Sequence, residues 1–114
     1  MRVAIVGSRR ADIHVLKQIL QALPASTSEI VSGGADGVDA LAARAAELLD
    51  IPLKTFLPNY ETYGKQAPLV RNLEIVEYAD EILAFWDGQS HGTRHIVGEC
   101  IKRQKPVRIY PLQP

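Results

Sequence analysis

Three polar, glycine-bearing stretches carry the residue types that could do chemistry: Gly7-Ser8-Arg9-Arg10, Ser32-Gly33-Gly34-Ala35-Asp36-Gly37 and Asp87-Gly88-Gln89-Ser90-His91-Gly92-Thr93. Glycine lets a backbone come close to a phosphate, and unpaired N–H groups at a helix start carry partial positive charge. The 32–37 run precedes an apolar stripe of helical spacing, so its amides are placed to receive an anion. Its three glycines exceed what one turn needs. The plainer reading is a tight turn plus a cap, because Asp36 and Asp39 have the spacing of a reciprocal N-terminal cap with Asp in place of Glu. The run is not a Walker loop, since no Gly-Lys-Ser/Thr follows. Nor is it the dinucleotide fingerprint, which belongs after the first strand, where Gly7-Ser8-Arg9-Arg10 stands instead. Ser90-His91-Gly92-Thr93 also opens a helix. It offers a second seat for an anion, or simple capping by Ser90.

Arg9, Arg10, Arg71 and Arg94 can all reach the same region, and arginine suits bidentate phosphate contacts. Any one of them alone also reads as a solvated surface charge. Tyr60, Tyr63 and Trp86 fall nearby and can either stack on a base or cover the sheet edge. His91 and His95 are four apart, but no third ligand accompanies them, so no metal and no cofactor is expected. His14 reads as an exposed helix residue, and Cys100, on an apolar helix face, as core.

The elements that must position these residues alternate regularly. Val3-Ala4-Ile5-Val6, Glu29-Ile30-Val31, residues 52–57, residues 81–86 and residues 105–110 read as strands. Between them run helical stripes: Ile13, Leu16, Leu20 and Leu23, closed by Pro24; Val38, Leu41, Ala42, Ala45, Leu48 and Leu49; Leu69, Leu73 and Val76 after Pro68; and Ile96, Val97, Cys100 and Ile101. Residues 58–66 show no periodicity, and Pro111 and Pro114 mark a free tail. Strands alternating with helices predict an α/β, Rossmann-like three-layer αβα sandwich on a five-stranded parallel sheet, with order 3-2-1-4-5 as the prior. In such a sheet ligands bind beyond the carboxyl ends of the strands, where the order reverses. All three glycine-bearing stretches then share one rim.

With 114 residues, the chain is expected to form a single domain, 1–114. The 46% hydrophobic and 23% charged fractions are ordinary for a globular protein and argue against extended disorder. No apolar run approaches a membrane span, so no membrane partner is expected. Thirteen basic and thirteen acidic residues cancel, so no overall field draws nucleic acid, although a local patch can. One cysteine makes no internal disulfide, and the N-terminus lacks the pattern of a secretory signal; the expected compartment is cytoplasmic.

The run Val31-Ser32-Gly33-Gly34-Ala35-Asp36-Gly37-Val38-Asp39, together with Gly7-Ser8-Arg9, Arg71-Asn72 and Gly92-Thr93, resembles the SLOG superfamily, and within it the YspA-like branch. The resemblance covers nearly the whole chain. It implies a Rossmann-like fold that binds a nucleotide or nucleotide-derived ligand as a sensor or carrier. Gly7, Ser8, Arg9, Ser32, Gly33, Gly34, Asp36, Asp87, Gly88, Ser90, Gly92 and Thr93 would form that site. One related group, the LOG-type phosphoribohydrolases, would make the protein an enzyme that cleaves the N-glycosidic bond of a nucleoside 5′-monophosphate. Arg71 resembles that group's catalytic arginine, but Ile96 stands where its catalytic glutamate belongs; Glu99, one turn later, is the substitute candidate. The other related group is the DNA-processing protein A family, whose Ser-Gly-x-Ala-x-Gly-x-Asp run resembles residues 32–39 and whose members bind single-stranded DNA. That makes nucleic acid a second partner class, ranked behind the small molecule. A homodimer or higher homo-oligomer stays open.

Overall fold

The computed structural model describes residues 1–113, so Pro114 lies outside the described residues. Five strands, β1 (Arg2–Gly7), β2 (Glu29–Ser32), β3 (Leu53–Thr55), β4 (Glu81–Trp86) and β5 (Val107–Pro111), form one sheet in the order β3-β2-β1-β4-β5. Every neighbouring pair is parallel. This is the α/β Rossmann-like architecture that the alternation predicts, in the strand order taken as its prior. The order reverses between β1 and β4, which pair from Val3 opposite Glu81 to Gly7 opposite Phe85.

Central β1 is buried on both faces, as its β-branched run requires. Val3 and Ile5 pack in one core with Val15, Leu16 and Ile19 of α1 (Ile13–Ala22) and Val38, Ala42 and Ala45 of α2 (Val38–Leu49). Ala4 and Val6 point the other way. They meet Ile75 and Val76 of α4 (Ala67–Tyr78) and Ile96, Val97 and Cys100 of α5 (His91–Arg103). The alternation of side chains along a strand thus divides one segment between two cores and gives the three layers.

Several boundaries and faces differ from the sequence reading. Ile13 is 68% exposed, because Asp12 caps α1 and the face that meets the sheet is Val15, Leu16 and Ile19. At about 100° per residue, Ile13 lies well to one side of that face. Leu48 and Leu49 end α2 in solvent, and the helix buries Asp39 and Ala46 instead. In α4 the buried stripe is Ala67, Asn72, Ile75 and Val76, with Leu69 exposed. β3 is only three residues long and wholly exposed, as an edge strand can be. The 58–66 stretch is not featureless: it contains a helical turn, α3 (Tyr60–Tyr63), capped by Asn59, and a 3-10 turn, Gly64–Gln66. Pro111 belongs to β5 opposite Trp86, and the Leu112 N–H donates to Trp86 O, so the chain is held there. No described helix is long and apolar enough to cross a membrane.

Candidate functional site

The carboxyl ends of β1, β2 and β4 open on one cavity of about 480 Å³. From the residues expected at the site, Gly7, Arg9, Gly33, Arg71, Asp87, Ser90, Gly92 and Thr93 line it. Ser8, Ser32, Gly34, Asp36, Gly88 and Glu99 do not. Arg10, Asp39, Asn72, Gln89 and His91 complete the polar wall, and Val6, Ile75 and Ile96 form an apolar floor.

Close packing sets the geometry. A Cβ on Gly7 would lie 2.1 Å from Phe85 O and 2.8 Å from Val38 Cγ2, so only glycine lets β1, β4 and α2 converge here. Ser8 is 2% exposed and joins the same three elements. Its N–H donates to Phe85 O, its carbonyl accepts from Val38 N–H, and its Oγ accepts from Asp87 N–H at 3.1 Å. Ser8 therefore builds the rim from behind it.

The β2–α2 loop is where the structure departs most from expectation. Gly37, at φ +72°, precedes α2, and no side chain caps the helix, so the Asp36–Asp39 cap does not form. Asp36 is exposed. Asp39 is 8% exposed and turns back into the loop, where its Oδ2 accepts from Ala35 N–H at 3.1 Å. The Gly34 N–H donates to Ser32 Oγ at 3.2 Å. A buried carboxylate thus occupies the place proposed for a phosphate, and the amides of Gly34 and Ala35 are already engaged. Burial pushes the Asp39 carboxyl above the ordinary carboxylate range; N–H donors from Ala35 and Gly33 and the charges of Arg71 and Arg9 oppose that shift without cancelling it.

Arg71 reaches the rim but serves it as a clamp. Its Nη1 donates to Gly33 O at 2.6 Å and to Phe56 O at 3.5 Å, and its Nε donates to Asn72 Oδ1 at 3.0 Å. A Cβ on Gly33 would lie 2.9 Å from both Arg71 Nη1 and Asp39 Oδ2, so glycine makes room for both charges. Asn72 passes the connection on through its Nδ2, which donates to Gly92 O at 3.4 Å and lies 3.2 Å from His95 Nδ1. One chain of contacts therefore ties the end of β2 to the start of α5.

That start is the part of the rim with donors to spare. Ser90 is the N-cap and accepts from Thr93 N–H, and Ser90 Oγ lies 3.1 Å from Thr93 Oγ1. The N–H groups of His91 and Gly92 have no partner among the described residues. Asp87 Oδ1 accepts from Gln89 N–H at 2.9 Å and Ser90 N–H at 3.2 Å, and these bonds, Gln89's first, hold its carboxyl below the ordinary range. Asp87 thus folds the loop through its Oδ1. Arg9 and Arg10 are exposed and make no ion pair among the described residues.

Glu99 lies away from the cavity. It is 18% exposed on its side chain and faces Lys102 Nζ (3.6 Å), Arg103 Nε (3.4 Å) and His95 Nε2 (3.9 Å). One helical turn separates it from the position a catalytic carboxylate would need, so the Arg71–Glu99 pair is not assembled. Trp86 Nε1 donates to Ser90 O, and Arg94 is exposed; neither lines the cavity. Tyr60 and Tyr63 stand on α3 outside it. No group of metal-ligating side chains occurs among the described residues.

The asparagine and the aspartate were visible in the sequence as polar residues on buried helical stripes, Asn72 four before Val76 and Asp39 three before Ala42. Nothing local in the sequence marks Val6, Ile75 and Ile96 as a cavity floor rather than as core.

A Rossmann-like sheet in this order, with a glycine-rich β2–α2 loop and an open α5 N-terminus on one rim, defines a SLOG-superfamily domain. Within it, the chain belongs to the DNA recombination-mediator protein A family, whose model matches residues 1–58. The comparisons thus support the DNA-processing branch of the superfamily. Over 84 residues the chain is 39% identical to the Gene 61 protein of Mycobacterium phage D29, a match covering 68% of this chain and 67% of that protein. Two solved structures share the fold. One is DNA processing protein A from Helicobacter pylori, described with a single-stranded DNA binding mode (TM-score 0.78, 23% identity, 99% of this chain). The other is DNA processing protein A from Streptococcus pneumoniae (TM-score 0.80, 19% identity, 98% of this chain). The chain spans 66% and 50% of the lengths of those two proteins.

Proposed function

We propose that this chain binds single-stranded DNA at the carboxyl rim of its sheet, taking one nucleotide unit of the strand into the cavity. The observation that carries the reading is the joint opening of four unengaged donors on one hollow: the Arg9 and Arg10 guanidinium groups and the α5 amides of His91 and Gly92. Together they suit a phosphate, through the helix terminus and through charge. The apolar floor of Val6, Ile75 and Ile96 suits the flat face of a base or sugar. Family membership and the single-stranded DNA binding of the Helicobacter pylori relative favour a strand over the free small molecule that the residues first suggest.

A free nucleotide is kept as the second reading, because the cavity, at about 480 Å³, is of ligand-site size. Hydrolysis has less support, since Glu99 is engaged elsewhere.

The test is fluorescence anisotropy of a labelled oligothymidylate at salt from about 50 to 200 mM, where each phosphate contact to a single strand contributes a slope of about −0.7 in log K against log salt. Arg9→Ala with Arg10→Ala is expected to weaken binding and flatten the slope by about 1.4. Unlabelled nucleoside monophosphates are added as competitors. Binding displaced by a mononucleotide at micromolar concentration supports the second reading. No oligonucleotide binding at the lowest salt refutes the first.

A further inference from the structure

Residues 59–66 are exposed without a break, and they carry two large aromatic side chains that nothing in the fold uses. Tyr60 is 60% exposed and Tyr63 45%. Neither ring packs against another aromatic ring, whereas Phe56 meets Tyr78 and Phe85 stacks on Tyr110. Neither hydroxyl has a hydrogen-bond partner among the described residues. The two tyrosines are three apart on the α3 turn, so they share one face, with Cβ atoms roughly 5–6 Å apart. The turn is well defined all the same: Asn59 Oδ1 accepts from Thr62 N–H at 3.1 Å, and Gly64 closes it at φ +55°. Lys65 follows the turn directly, exposed and in no ion pair among the described residues, while Lys54 on β3 holds its Nζ 5.2 Å from the centre of the Phe56 ring; Glu61 is the one acid between the two lysines in the sequence.

The segment that carries this face leaves β3 beside the cavity. Arg71, which lines the cavity, donates to Phe56 O, and Gly34 sits so close to Leu57 that a Cβ there would lie 2.7 Å from Leu57 Cδ2. The backbone leaving β3 therefore starts at the cavity edge and runs directly to the tyrosines. From these observations we infer that Tyr60 and Tyr63, with Lys65, form a second contact track for a single strand, stacking the bases that lie beyond the nucleotide in the cavity. The inference rests on the single-stranded DNA reading of the cavity and extends it to a surface outside it. Stacking on exposed aromatic rings beside basic side chains is how sequence-tolerant single-strand binding is built, because every base offers a π-face. Exposed Leu57 and Leu69 lie close by in the chain, so a protein contact is the competing outcome of the test; the exposed Lys65 and the cavity at the start of this segment favour the strand.

The experiment measures oligothymidylate affinity as a function of length, from about four to twelve nucleotides, for the wild type, Tyr60→Ala/Tyr63→Ala and Tyr60→Phe/Tyr63→Phe. The expected result is that affinity rises with length in the wild type and in the phenylalanine variant. The alanine variant binds the shortest strand normally but loses ~10-fold or more on the longer ones. Since both residues are exposed, thermal melts of all three proteins should coincide. Equal length dependence in wild type and alanine variant overturns the inference while leaving the cavity reading intact. Length-dependent binding that needs the tyrosines but survives Arg9→Ala/Arg10→Ala retains the track and refutes the cavity. Altered sedimentation of the alanine variant with unaltered DNA affinity makes the face a protein contact and also overturns the inference.

Discussion

Replacing Arg71 with alanine separates a clamp from a ligand-binding group. Arg71 is half-buried, and its guanidinium spans Gly33 O, Phe56 O and Asn72 Oδ1. The bond to Gly33 O, at 2.6 Å, is short and the bond to Asn72 Oδ1, at 3.0 Å, is of ordinary length; both are charge-assisted, and hydrogen bonds to charged groups contribute about 1.5–3 kcal/mol each. The 3.5 Å contact to Phe56 O is at the limit and adds little. Water entering from the cavity satisfies some of the orphaned acceptors, so the net cost of Arg71→Ala is expected to be about 2–3 kcal/mol, nearer one full bond than two. For a chain of this length, that is a fall in Tm of roughly 8–12 °C. Arg71→Lys keeps the charge but not the fork, and is expected to recover less than half. Differential scanning calorimetry of the two variants reads both numbers. A fall below about 2 °C for Arg71→Ala would refute the clamp and return Arg71 to the set of groups free to hold a ligand.

Other consequences follow from the same geometry. Gly7→Ala places a Cβ against backbone that cannot move aside, so the variant is expected to lose about 3 kcal/mol or more, or to fail to accumulate as folded protein in a urea titration. Asp39 has a folded pKa raised by burial. Its contribution to stability is thus fully present below the ordinary carboxylate value, near 4, and is lost as pH rises through the folded value. Urea titrations from about pH 4 to pH 8 should show the wild type losing stability relative to Asp39→Asn as pH rises; a gain instead would contradict the desolvated carboxylate. Cys100 is buried, and burial pushes its thiol up to about 11, so at pH 8 only about a thousandth is thiolate. Its reaction with a thiol reagent should be slow in the native protein and fast in urea; equal rates would refute the burial.

The layers were legible because buried β-branched runs and helical stripes alternate without ambiguity; the residues did not fix the strand order, and the observed order is the one that sheets of this class commonly adopt. β4 is placed to the residue, since Glu81 and Trp86 bracket an unbroken apolar run. The faces of α1 and α4 were less legible. Ile13 and Leu69 suggest burial by type, but Ile13 follows the Asp12 cap to one side of the Val15, Leu16 and Ile19 face, and in α4 the buried places fall to Ala67, Asn72, Ile75 and Val76. At the candidate site, Gly7, Gly33 and Gly92 line the cavity while Gly34, Gly37 and Gly88 do not, and residue type alone did not reveal who uses the amides. Asp39 takes the loop N–H groups that a ligand would need, and only the return of its side chain across four residues makes that visible. The α5 terminus kept its donors because its cap, Ser90, satisfies the third turn position and leaves the first two open.

The backbone amides themselves give the most direct test. In a nitrogen–proton correlation spectrum, a short oligothymidylate added to the labelled protein should shift the His91 and Gly92 amides most. The Gly34 and Ala35 amides, held by Ser32 and Asp39, should stay nearly still. Large shifts at Gly34 and Ala35 with none at His91 and Gly92 would contradict the assignment of the anion to the start of α5.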